Sequence, residues 1–435
     1  MLIVYNVLQI LALIVVGPLL FVKAIMTVKY RHRLPLRFGV GLERQLVSCP
    51  KIAPRIWIHA LSVGEVASSH ALVKALRVAF PDVTLFFSTT TEAGAAFAKS
   101  TLGNQVDFFI PFPFDVLPSV GKFLNLVDPD LFLLVETDFW PNFLHALRRR
   151  RVPAILVNGR ISRRSFYRYH RWRLFFRPLF RSFAALCMQT TEDVERMVQL
   201  GVAGDAVKAL GNLKYEAAGL EPVGGEIGRE DFGIPDDRMV WAAGSTHGIE
   251  DEMALRVHKR LLADFPDLLL LLAPRQVSRG EMLVDMAETE GLTVAQRSLG
   301  GGGLSVSVLL LDTIGELSGS YRLCEVAFVG GSLVPEGGHN PLEPAAFARP
   351  VLFGPHMDDF LEVSRDLVLA GGALEVASED ELYLRLKGLL ADEGLRQQMG
   401  AKSVVLLEKE KGATDRHVEL IQSLLVGQDQ EGANG

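Results

Sequence analysis

The feature that most restricts what this chain can fold into is a repeated run of contiguous apolar residues, set apart by longer amphipathic stretches. "RIWIHAL", "VTLFFSTT", "QVDFFIPF", "DLFLLVET", "VPAILVNG" and "FAALCMQ" follow one another between Arg55 and Gln189. A strand that faces water on one side alternates apolar and polar residues, whereas contiguous runs mark strands buried on both faces of a parallel sheet. A segment rich in Gly, Pro and acids, "AAGLEPVGGEIGREDFGIPDD", interrupts the series. It then restarts with "MVWAAGST", "DLLLLLAPR", "VSVLLLDT", "VAFVGGSL", "RPVLFGP" and "ALEVAS". Two such series predict two doubly wound, Rossmann-like α/β domains facing a cleft. A chain of 435 residues is also too long for one ordinary core. The expected limits are 38–216 for the first domain, 217–237 for a linker, 238–426 for the second domain and 427–435 for a disordered tail.

The first residues depart from this pattern. Met1 to Val22 carry no charged side chain, about the length of a bilayer-spanning helix, and Lys23, Lys29, Arg31, Arg33 and Arg37 follow. A transmembrane anchor over 1–22 is therefore expected, with the positive flank holding the remainder in the cytoplasm. Cys49, Cys187 and Cys324 are widely spaced, which suits a reducing compartment and excludes a C-x-x-C metal or redox site.

The formal net charge of −6 gives no general attraction to nucleic acid, but the charge is unevenly distributed. Phe139 to Thr191 hold twelve arginines and neither lysine nor acid, interleaved with Phe, Tyr and Trp. Beside a membrane anchor, such a surface points to anionic lipid headgroups or a phosphorylated lipid, not to nucleic acid.

Ligands of open α/β sheets bind beyond the carboxyl ends of the strands, and polar residues gather there. Glu65, behind Gly64 at a strand-to-helix turn, suits either a helix-dipole carboxylate or a base at a cleft mouth. Arg275 directly follows an apolar run and suits a phosphate or carboxylate, and Lys214 is a second candidate cation. "GGSLVPEGGHNPLEP" (330–344) has two glycine pairs before His339, Asn340 and Pro341 open a helix, an arrangement fit for nucleotide binding, with Glu343 placed for a ribose diol. "DPD" at 128–130 lies at the wrong end of its strand and reads as a turn. The histidines lack ligand spacing, so no metal is expected.

"WIHALSVGEV", "ETDFWPN", "LVNGRIS", "GNLKYE", "AGSTHGIE", "DTIGEL" and "GGSLVPEGGHNPLEP", in this order, resemble the motifs of 3-deoxy-D-manno-octulosonic acid (Kdo) transferases. The resemblance implies the GT-B glycosyltransferase fold and transfer of Kdo from CMP-Kdo to a lipid A precursor at the cytoplasmic face of the Gram-negative inner membrane. It implies an inverting displacement without a metal, Glu65 as base, and Glu136 and Lys214 supporting the transition state. CMP contacts carry over to Pro274, Arg275, Ile314, Gly315, Glu316, Leu317, Asn340, Pro341, Leu342 and Glu343. Three positions depart from the family pattern: Gln276 stands where a histidine is usual, Ile314 where methionine is, and Gly159 where alanine is common. Two other readings are a GT-B transferase of a different nucleotide sugar and a non-catalytic nucleotide-binding membrane scaffold; the second would need none of Glu65, Glu136 and Lys214.

Overall fold

Contiguous apolar runs become two parallel sheets in the computed structural model, which describes every residue except 1, 27–33, 51–53, 137, 217–227, 301, 303–304 and 434–435. The first sheet comprises β1 (Arg55–Ala60), β2 (Thr84–Thr89), β3 (Phe108–Pro111), β4 (Leu131–Val135), β5 (Ala154–Gly159), β6 (Ala185–Met188) and β7 (Val207–Ala209). Its order is β3-β2-β1-β4-β5-β6-β7, with every pairing parallel. The second sheet comprises β8 (Val240–Thr246), β9 (Leu269–Pro274), β10 (Val294–Gln296), β11 (Val308–Leu310), β12 (Val326–Val329), β13 (Val351–Phe353) and β14 (Ala373–Glu375). It is ordered β10-β11-β9-β8-β12-β13-β14, again all parallel. Strand order reverses beside β1 in one sheet and beside β8 in the other, and at such a switch point the connections leave a crevice at the strand ends.

The core explains the composition of the strands. β1, β2, β4, β5 and β9 are buried at every position, because helices cover both faces of each sheet. Trp57 lies within aromatic contact of Phe112, Phe123, Phe132 and Phe143, and its indole N–H donates to Ser88 Oγ at 2.8 Å. The opposite face of that sheet carries Ile56, Ile58, Leu85 and Phe87.

The chain divides into one unit of Met1–Ala217 with Lys411–Gly435, and a second of Ala218–Glu410. The expected boundary at 426 therefore moves: the terminal helix Ala413–Ala433 contributes Ala413, Val418, Ile421 and Leu425 to a core of the first unit. The same helix replaces the expected disordered tail as far as Ala433. Of the expected linker, 217–227 lie outside the described residues. Phe232 and Ile234, from its later part, are packed into the core of the second unit.

The N-terminal segment is a helix, Leu2–Met26. Among the described residues no helix is long and apolar enough to cross a membrane, which corrects the expected spanning anchor. Three of its polar side chains bond to the rest of the first unit. Tyr5 donates to Asp115 Oδ2 at 2.9 Å, Asn6 and Asn142 exchange side-chain hydrogen bonds, and Gln9 donates to the Asp115 carbonyl. Val4, Leu8, Leu11 and Val15, spaced along one side of the helix, stay exposed.

Candidate active site

Glu65 is placed by the turn that follows β1. Ser62 caps the helix Val63–Ala79 by accepting from the Glu65 amide at 3.4 Å, and the Glu65 carboxylate folds back to accept the Leu61 N–H. This is a close variant of the capping box, displaced by one residue, and it places Glu65 in the first turn of the helix, where a carboxylate also meets the favourable end of the helix dipole. The cap also buries the carboxylate at the carboxyl end of a central strand, with 7% of the residue exposed. Burial, then the charges of Glu136 and Asp138, push its pKa up to about 8, against the Leu61 hydrogen bond and Lys214.

Glu136 follows β4 in a left-handed conformation, φ 63°, which a non-glycine residue adopts at a cost of about 1 kcal/mol or more. Its Oε1 lies 3.6 Å from Lys214 Nζ and accepts from Asn158 Nδ2 at 3.3 Å. Glu65, Glu136 and Lys214, named from sequence, thus form one electrostatic cluster.

Two further residues organise this cluster: Asn158, which the sequence marks as a polar strand-end residue without a role, and His417, which it does not mark. Asn158, fully buried at the end of β5 with φ 55°, accepts the Leu213 N–H on Oδ1 and so fixes the Asn212–Leu213 peptide, one residue ahead of Lys214. Its own N–H reaches His417 Nε2 on the terminal helix at 3.4 Å. The His417 Nδ1–H donates to the Ala413 carbonyl, which leaves Nε2 as the acceptor. Burial holds His417 down at about 4 and hence neutral. "VNGR" at a strand end is a visible signal for Asn158; His417 has none, standing 259 positions away. Asp138 adds a carboxylate to this region, 3.5 Å from the buried His59 and accepting from the Trp140 indole.

In the second unit, a cavity of about 250 Å³ is lined by Thr246, His247, Gly248, Arg275, Gln276 and Arg279. Pro274 ends β9, and the Arg275 amide donates to the Thr246 carbonyl, holding the two loops together. Arg279 is engaged by the buried Asp251 carboxylate. His339 meets His247 with Nε2 atoms 2.8 Å apart. Burial first, then Arg275 and His247, hold His339 down at about 4. Burial raises Glu343 to about 7, while Asn340 and Arg275 oppose it. Arg275, His339, Asn340 and Glu343 thus share one electrostatic neighbourhood with the cavity.

The helix opened by Pro341 is only five residues, Leu342–Ala346, and the Leu342 amide is taken by Asn340 Oδ1. The anion site expected at its amides is therefore at least partly closed, and Arg275 is the better anion partner. Of the remaining candidates, Ile314 is 87% exposed and Gly315 has φ 93°. Glu316 is tied to Arg297 and Thr313, whose hydrogen bonds outweigh burial and hold it below its ordinary value. Leu317 packs in the core face that includes Tyr321. Asp128 and Asp130 form the expected turn, Asp130 accepting the Arg55 N–H. Among the described residues no group of three or more His, Cys, Asp and Glu side chains is placed to hold a metal.

The arginine-rich stretch forms the helices Arg163–Arg171 and Arg173–Phe180. The structure sorts its members: Arg177 and Arg181 donate to the Gly201 carbonyl and Arg150 to Asn125, while Arg163, Arg164, Arg168, Arg171 and Arg173 are exposed. Tyr167, Trp172 and Leu174 are exposed beside them.

Comparison with known proteins identifies the family. A family model described as 3-deoxy-D-manno-octulosonic-acid transferase matches residues 32–217. A 3-deoxy-D-manno-octulosonic acid transferase from Haemophilus influenzae is 36% identical over 91% of this chain and 92% of its own length. One from Bordetella pertussis is 32% identical over 90% and 91%. The solved structure of a glycosyltransferase from Rickettsia africae matches with a TM-score of 0.53 and 10% identity, covering 85% of this chain and 98% of that one, a likeness of fold alone. Two parallel-sheet α/β units of the GT-B kind, with relatives of this identity and coverage, lead to one conclusion: the chain belongs to the Kdo transferase family, glycosyltransferases of lipopolysaccharide core biosynthesis.

Proposed function

We propose that the chain transfers Kdo from CMP-Kdo to the lipid A precursor lipid IVA at the cytoplasmic face of the inner membrane, by an inverting displacement that needs no metal. The observation that carries this reading is the buried Glu65 carboxylate at the end of β1, in one cluster with Glu136 and Lys214. An acceptor hydroxyl attacks the anomeric carbon of Kdo, its proton passes to Glu65, and the bond to phosphate breaks with its electron pair leaving on CMP. A carboxylate raised to about 8 is a stronger base than an ordinary one and takes that proton with less penalty. Lys214, oriented by Glu136, offsets negative charge on the Kdo carboxylate or departing phosphate.

Arg275 and the cavity beside it are assigned to the nucleotide, with Pro274, Ile314–Leu317 and Asn340–Glu343 contributing. Arg275→Ala is expected to weaken CMP binding by roughly 10–100-fold, the loss of charge-assisted hydrogen bonds. Titration calorimetry with CMP checks this, and unchanged affinity would remove Arg275 from the donor site.

The exposed arginines are assigned to acceptor phosphates and anionic lipid, and the apolar side of Leu2–Met26 to the bilayer surface. Arg164, Arg168 and Arg171 lie on one helical face. Replacing all three by glutamine is expected to raise the apparent KM for the acceptor by roughly 100-fold, at about 1 kcal/mol per charge, with the donor KM unchanged. Steady-state kinetics with each substrate varied in turn measures both; an effect confined to the donor would contradict the assignment.

A further inference from the structure

A single carboxylate in the second unit gathers an unusual number of amides. Glu250, 1% exposed in the first turn of the helix Ile249–Leu261, accepts four backbone N–H groups. Oε1 takes Ser332 at 3.0 Å and Leu333 at 2.8 Å; Oε2 takes Gly331 at 2.7 Å and His247 at 2.9 Å. Each is a charge-assisted bond in a site closed to water. Four amides saturate the accepting capacity of a carboxylate.

These contacts close a ring. From Glu250 Oε2 one path runs through the Gly331 amide. The Gly331 carbonyl accepts the Gly338 N–H at 2.8 Å, and His339 follows directly. The other path runs through the His247 amide to the His247 imidazole, which meets His339 at Nε2, 2.8 Å away. Both paths start on one oxygen and end on one pair of imidazoles. The loop has little freedom to settle elsewhere. A Cβ on Gly330 would lie 2.6 Å from the Ser245 carbonyl oxygen, and one on Gly331 would lie 3.1 Å from the His339 ring. The ring encloses nothing itself, but it fixes His247, which lines the cavity with Arg275, and the residue before Asn340.

We propose that Glu250 is the positioning residue of the donor site, holding the 331–333 loop and the His247–His339 pair in the arrangement that receives the nucleotide. It touches no substrate and acts through the backbone. This rests on reading the cavity around Arg275 as the nucleotide site.

Glu250→Gln is nearly isosteric, yet wherever its amide nitrogen sits, two of the four backbone N–H groups face a donor and lose their acceptor. In the full-length protein, this variant is expected to bind CMP at least tenfold more weakly and to show a donor KM raised by a similar factor. Its kcat at saturating donor should stay within about threefold of wild type. NMR titration supplies a readout that needs no ligand. The His339 ring, held at about 4 by burial, Arg275 and His247, should move toward its ordinary value of 6.5 as the loop loosens. Glu250→Asp keeps the charge with a shorter reach; it is expected to fall between wild type and the glutamine variant on both readouts, and it carries the test if the glutamine variant does not fold. Unchanged CMP affinity and His339 titration in a folded variant would overturn the proposal, as would a lowered melting temperature with both readouts at their wild-type values. If wild type binds no CMP, the nucleotide reading fails by itself, while the His339 titration still decides whether Glu250 orders the loop.

Discussion

Glu65→Gln is expected to lower kcat by roughly 10²–10⁴-fold, the usual contribution of a positioned general base, and to leave CMP affinity at its wild-type value. The amide keeps an oxygen to accept the Leu61 N–H, so the helix cap survives and the loss is chemical. Two pH dependences accompany this result. In wild type the base must be ionised, so kcat/KM should rise about tenfold per unit below pH 8 and level off above it. Stability should run the other way. The folded protein retains the Glu65 proton up to about 8, whereas the unfolded chain releases it near the ordinary 4.5, so ionisation costs folded stability as pH rises between those values. The glutamine variant lacks that penalty and should melt no lower than wild type at pH 8. A large loss of CMP binding, or a wild-type rate flat from pH 6 to 9, would make Glu65 a structural cap and not the base.

Lys214→Met carries the second large effect, a drop in kcat of roughly 10²–10³-fold, comparable to removing one preorganised charge partner from a transition state. Methionine keeps the stem and removes the ammonium. It also leaves Glu136 with the Asn158 hydrogen bond as its only remaining partner of the two described above. Lys214 opposes the upward shift of Glu65, so its loss should also move the rising limb of the pH profile to higher pH. Measuring kcat across pH separates the two roles. A uniform loss with an unmoved limb would mean that Lys214 stabilises charge without tuning the base, and an unaltered kcat would remove it from the mechanism.

The sequence exposes the central strands well because both of their faces are buried: "RIWIHAL" becomes β1 and "DLLLLLAPR" contains β9. The two strands without a matching apolar run are β7, "VKA", and β10, "VAQ", three-residue strands at sheet edges where little apolar surface is required. The N-terminal helix is legible as a helix, but hydropathy alone does not show that Tyr5, Asn6 and Gln9 engage the first unit. Nor does an amphipathic terminal helix state which core it joins, so the expected second domain, ending at 426, runs past its structural limit at Glu410. The site divides in the same way. Glu65, Glu136 and Arg275 each follow an apolar run and are visible from that position, and Lys214 is visible only through "GNLK" after the short edge strand β7, whereas His417 and Glu250 lie within helices and matter only through the loops they reach. Long-range partners of this kind are properties of packing, and no local pattern encodes them.

The central claim is tested most directly by supplying CMP-Kdo, generated in situ, with lipid IVA to the full-length protein and weighing the lipid product by mass spectrometry. The account predicts a lipid heavier by one or more Kdo residues, with CMP released in equal number and product from Glu65→Gln formed at least about a hundredfold more slowly under the same conditions. A folded wild-type protein that binds CMP and leaves lipid IVA unmodified would contradict it.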